Sequence, residues 1–230
     1  MYHKILFSLV LLLYVKEFMM KKISILLVGF LLIGCGDTNN TNIEMNIPQE
    51  INSPEVQEYL DSLPDNDMNS PEYELPADPG EQGKEELLGI DSNDNGIRDD
   101  VEIYIYNKYK NDENKRVAYS IFSQDAKSVS KILKNPERGY EDEIYKIFSR
   151  NLQCNEYWIR KKSKNTDIDH YFELGNTYNL TSSKFKDIIY DTRERQKAYF
   201  TYQASLGGHS FSLGKNTIDD CDQNITILDK

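Results

Sequence analysis

Asp91-Ser92-Asn93-Asp94-Asn95-Gly96-Ile97-Arg98-Asp99-Asp100-Val101-Glu102, running on as Ile103-Tyr104-Ile105-Tyr106-Asn107-Lys108-Tyr109-Lys110, is a polar loop that turns into a helix. Its second half sets the fold class. Val101, Ile105 and Tyr109, with Tyr104, recur at helical spacing and make one apolar face. Asp99 and Asp100 fall in the first turn and Lys108 and Lys110 in the last, each where the helix dipole favours its sign. The first half sets the candidate chemistry. Oxygen-bearing side chains stand at Asp91, Asn93, Asn95, Asp99 and Glu102, positions 1, 3, 5, 9 and 12 of twelve, and Gly96 is sixth. Calcium takes about six to eight oxygens, with a two-oxygen grip from a final Glu. A glycine permits the sharp turn that carries the backbone around the ion.

The helical spacing continues downstream. Val117, Ala118, Ile121, Phe122, Val129, Ile132 and Leu133 stripe a second helix that should stop before Pro136. Ile144, Ile147, Phe148, Leu152 and Trp158 stripe a third, with Cys154 close to its apolar face. Thr166, Asp167 and Asp169 open a short fourth helix around residues 170–174, stopped by Gly175. Phe185, Ile188, Ile189, Thr192, Tyr199 and Leu206 stripe a fifth, capped by Ser182 or Ser183 and ended by Gly207-Gly208. Only Ile225–Leu228 at the tail competes as a strand. The expected fold is all-α: a small bundle of about five helices over residues 83–230, with the polar loop at its entrance. Six of the seven prolines lie between Pro48 and Pro79, among Asp, Glu, Ser and Asn. Residues 35–82 therefore read as a disordered tether.

The N-terminus carries a second signal. Met20-Lys21-Lys22 is basic, Ile23 to Leu32 is apolar, and Leu32-Ile33-Gly34-Cys35 ends with a small residue before the cysteine. That is the plan of a secretory signal peptide. The apolar run is too short for a membrane span, which takes about 20 residues. The stretch resembles the lipobox of bacterial lipoproteins. The resemblance implies cleavage before Cys35, acyl chains such as palmitate on Cys35, and a lipid-anchored protein in the cell envelope, facing the periplasm or the exterior. Residues 1–34 are then signal peptide, with 1–19 an over-called start or part of a longer signal anchor.

Charge and cysteines fit that setting. The chain has 27 Lys and Arg against 38 Asp and Glu. Four of those Lys and one Glu precede Cys35, which leaves 23 against 37 and a net charge of −14. Such a surface repels phosphate backbones, so no nucleic-acid partner is expected. It also repels anionic headgroups, so the lipid makes the membrane attachment. With Cys35 acylated, Cys154 and Cys221 remain, either as a disulfide or as two buried thiols. An oxidising compartment favours the disulfide. Closing 67 residues would stabilise the fold by about 3–4 kcal/mol in the chain-entropy model.

The polar loop resembles an EF-hand loop, and equally the calcium loops of dockerins and of thrombospondin type 3 repeats. The resemblance covers twelve residues. It implies Ca2+ as the cofactor, with Asp91, Asn93, Asn95, the backbone carbonyl of Ile97 and Glu102 as ligands and Asp99 binding directly or through water. Arg98 departs from the EF-hand pattern, because paired EF-hands place an apolar residue there to join a second loop. The segment before the loop, between Gly83 and Gly89, is too short for a full entering helix, and no second such loop follows. A single structural site of low charge is expected, with a Kd of about 10⁻⁴–10⁻³ M.

Other constellations carry less. His170 and Glu173 share a helix face, but dimetal bundle sites use two Glu-x-x-His pairs. The mixed charges Asp191, Arg193, Glu194 and Arg195 read as a solvated face. Asn39 and Asn224 stand in Asn-x-Thr acceptors for glycosylation, each with an acidic residue two before it. The expected function is a calcium-stabilised helical binding domain, held by lipid and facing a protein partner in the envelope. The alternative is an envelope hydrolase with a carboxylate site, for which Glu141–Glu143 and Asp219–Asp220 are the candidates.

Overall fold

The computed structural model describes residues 53–164, 167–212 and 214–230. The signal peptide, Cys35 and Asn39 lie outside the described residues. Among the described residues every regular element is helical, as expected. Among the described residues no helix is long and apolar enough to cross a membrane.

The first helix, α1 (Pro54–Asp61), falls inside the stretch expected to be tether. Pro54 starts it, and the Ser53 hydroxyl accepts from the Val56 N–H. Val56 and Leu60, one turn apart, are both buried. Met68 is buried too, and the Asn69 side chain donates to Arg116 O at 3.0 Å and meets Gln223 Oε1 at 3.2 Å. The expected boundary at residue 82 is therefore corrected: chain from residue 53 onward packs into the helical unit.

A short 3-10 turn, Gly80–Lys84, leads to the polar loop and α2 (Asp99–Tyr109). Val101, Ile105 and Tyr109 point inward, as their spacing required. The long α3 (Lys115–Lys134) is the axis of the molecule, since α2, α4, α7 and α8 all pack on it. Its Phe122 meets Tyr109 and Phe185, both at 4.9 Å between ring centroids. A 3-10 turn, Pro136–Arg138, ends it, and α4 (Ile144–Lys162) returns alongside. Next comes α5 (Ile168–Thr177), capped by Asp167, which accepts from the His170 N–H at 3.0 Å.

The fifth expected helix is two. α6 (Ser183–Ile189) is capped by Ser182, and α7 (Arg193–Ser205) by Thr192. After a last 3-10 turn, Ile218–Asp220, the tail forms α8 (Ile225–Leu228), a helical turn and not a strand. Asn224 starts it by accepting from the Thr226 N–H and hydroxyl. Asn224 itself is exposed. The Cys154–Cys221 disulfide ties α4 to this tail across 67 residues.

Candidate metal centre

The polar loop folds by consuming its own oxygens. Asp91 accepts from the N–H of Asn95 at 3.1 Å and of Gly96 at 2.8 Å through its two carboxylate oxygens. The Asn93 side-chain oxygen accepts from Asn95 N at 3.2 Å, and that of Asn95 from Ile97 N at 2.9 Å. Gly96 takes φ +86°, in the left-handed region that glycine enters without strain. Ile97 buries its side chain in the core, leaving only its backbone to the loop. Asp99 closes the base: its carboxylate accepts from Ser92 N at 2.9 Å, and its own N–H donates to Ile90 O at 2.8 Å.

Glu102 stands at the centre. It is 0 % exposed. Asn95 Nδ2 donates to its Oε1 at 2.5 Å, Asn93 Nδ2 reaches both its oxygens at 3.3 Å, and the Tyr73 hydroxyl donates at 3.1 Å. Burial pushes the Glu102 carboxyl above the usual range, and the three donors draw it back in part. Burial, followed by the Glu102 charge, raises the Tyr73 phenol. Among the described residues, the partners of Glu102 are two amides and a phenol, with no cation.

The structure thus brings Asp91, Asn93, Asn95 and Glu102 together and sets Asp99 at the edge. Among the described residues, no three His, Cys, Asp or Glu side chains form a preassembled metal cluster. The two Asn amides turn their NH2 groups toward Glu102, while their oxygens accept from backbone N–H groups of the loop. In charge the loop fits a hard dication, because its buried carboxylate, Glu102, has only neutral hydrogen-bond partners.

Arg98 has a role that its loop position did not announce. Its guanidinium leaves the loop and donates to Ile189 O at 2.6 Å and Ile188 O at 3.1 Å, the last carbonyls of α6. It also grips Asp100 through two bonds, at 2.9 and 2.6 Å, and meets Asp191 at 3.3 Å. An arginine on orphan C-terminal carbonyls caps a helix, which accounts for the break between α6 and α7.

Arg195 overturns the expected solvated face. It is 0 % exposed. It donates to Leu87 O at 3.0 Å, Gly83 O at 2.7 Å and Glu86 O at 2.9 Å, and pairs with Asp191 at 2.6 Å. The two arginines thus share Asp191: Arg195 clamps the segment before the loop onto α7, and Arg98 ties the loop to the end of α6. Gly89, at φ +72°, passes between them: a Cβ there would lie 2.6 Å from Arg98 Cδ and 2.8 Å from Arg195 Nη2. Asn66 ties the earlier chain to the same loop, donating to Asn93 O and accepting from Asn95 Nδ2, both at 3.1 Å.

The carboxylate clusters named for a hydrolase are engaged at the surface. Glu141 and Asp142 pair with Arg138, and Glu143 with Lys146. Asp220 accepts from Thr217 N at 2.7 Å, and Asp219 is exposed. A buried acid that the sequence did not single out is Asp125 on α3. Burial pushes its carboxyl up to about 7, against the opposing effects of the Asn151 amide and the Lys186 charge. Comparison with protein-family models, with curated proteins and with solved structures returns no match.

Proposed function

We propose that this chain is a lipid-anchored protein of the bacterial envelope whose helical domain is braced by one calcium ion and binds a partner there. Cys35 carries the lipid, and the oxidising side of the membrane accounts for a disulfide between Cys154 and Cys221. The observation that carries the calcium reading is Glu102, fully buried in a calcium-spaced loop with neutral partners only. A dication supplies the charge that such a carboxylate lacks. Asp91, Asn93, Asn95, the Ile97 carbonyl and Glu102 would hold it, with Asp99 beside them. Binding requires Asn93 and Asn95 to present oxygen where NH2 now faces Glu102. The acidic surface leaves nucleic acid out of the reading and assigns the membrane contact to the lipid alone.

Calcium titration of the full-length chain in detergent, by calorimetry, tests the reading. The expected Kd is about 10⁻⁴–10⁻³ M, and affinity should fall on acidification. The sign follows from Glu102: with its carboxyl raised, acid loads a proton that calcium must displace. No calcium heat near neutral pH would remove the metal. Fatty-acid labelling that survives Cys35→Ser would remove the anchor.

A further inference from the structure

A groove of 650 Å³ lies far along the chain from the polar loop, between α4, α5 and the turn Asn179-Leu180-Thr181. Its volume suits a small-molecule site, for which about 300–1,000 Å³ is usual. We propose that this groove binds a neutral oligosaccharide. The inference stands on the groove alone and needs no calcium.

Charge comes first. No Lys, Arg or His lines the groove, and its one carboxylate is spent. Glu156 pairs with Arg160 at 2.5 Å and accepts from the Tyr171 hydroxyl at 3.0 and 3.1 Å. Nothing ionic remains to select a charged ligand. What remains is amide: Gln153, Asn155, Asn176 and Asn179 all line the groove. An amide both donates and accepts, which matches a ligand rich in hydroxyls, since each hydroxyl does the same. Asn155 is 8 % exposed; its Nδ2 donates to Tyr178 O at 3.0 Å, and its Oδ1 has no partner among the described residues.

The apolar part of the lining is aromatic at the rim. Tyr171 and Phe172 meet edge to face at 5.5 Å, and Phe172 is 59 % exposed. Glu156 fixes the Tyr171 ring, so a ligand finds that surface already oriented. A ring beside hydrogen-bonding amides suits a pyranose, which has an apolar C–H face and a hydroxyl rim. A peptide suits it less. Among the described residues there is no strand edge to extend, and amides interrupt the apolar stripe that an amphipathic helix would need. The groove binds without cleaving, because glycoside hydrolysis ordinarily uses two carboxyl groups and Glu156 is alone.

The test is calorimetric titration of the full-length chain, in an amine-oxide detergent free of sugar, with chitotriose, cellotriose and maltotriose, and with an amphipathic helical peptide. At least one trisaccharide should bind. Phe172→Ala should weaken that binding about ten-fold or more without changing the melting temperature, since the ring is exposed. Asn176→Ala, also at an exposed position, should weaken it as well. Three results would overturn the proposal: no heat from any trisaccharide, binding by both variants as tight as the parent's, or binding of the peptide alone.

Discussion

At the scale of single residues, charge is the part of this molecule that its local pattern describes least. The position of Glu102 at the end of the polar loop follows from spacing within twelve residues, but its full burial does not. Arg195 was not legible: it sits among mixed charges that resemble a solvated face, yet three of its partners are carbonyls 108 to 112 residues earlier. Arg98 likewise reaches a carbonyl 91 residues on. Pairing over such distances leaves no mark in periodicity. Asp125 is the sharpest case, a carboxyl buried within α3 and held by burial at about 7. Its folded value lies above the unfolded value of about 3.9, so the folded state holds the proton more tightly. The stability this confers is fully present below the unfolded value and is lost as pH rises through about 7. Asp125→Asn should therefore gain stability over the parent on going from about pH 4 to about pH 8, by on the order of 2–4 kcal/mol. Urea unfolding at both pH values measures it. Equal pH slopes in parent and variant would refute this account of Asp125.

At the scale of elements, the long helices were legible and the short ones were not. Twenty residues of α3 repeat the apolar period often enough to leave no doubt of type, and Pro136 marks the end. Eight residues of α1 offer only Val56 and Leu60, within a Pro-rich acidic stretch whose composition is that of a tether. Packing against α8 decides the matter, and composition carries no trace of α8. The split of α6 from α7 has the same origin, since the arginine that caps α6 comes from another element. Ile225–Leu228 is apolar but for Thr226 and too short for period to distinguish strand from helix; the Asn224 cap makes it helical. Leu60→Ala separates the two readings of the early chain. As a buried core residue Leu60 should cost about 2–5 kcal/mol when truncated, whereas a tether residue would cost nothing measurable. Denaturant unfolding of the full chain reads the difference directly.

At the scale of the whole molecule, three long-range ties hold the helices around α3. The disulfide fastens the tail to α4, at about 4 kcal/mol for 67 enclosed residues in the chain-entropy model. The two arginines on Asp191 are the second: Arg195 fastens the segment before the loop to α7, and Arg98 fastens the loop to α6. The loop is the third, joining the early chain through Asn66 and Tyr73 to the first turn of α2. Calcium would strengthen that third tie, and its absence would leave Glu102 buried with neutral partners. With calcium at ten to a hundred times its Kd, the expected stabilisation is about 1.4–2.7 kcal/mol. Scanning calorimetry of the full-length chain and of Glu102→Gln, each with calcium and with chelator, tests this most directly. The account predicts that calcium raises the melting temperature of the parent by several degrees and leaves the variant unmoved, with the chelated variant at least as stable as the chelated parent. A parent that ignores calcium, or an equal shift in both proteins, would contradict it.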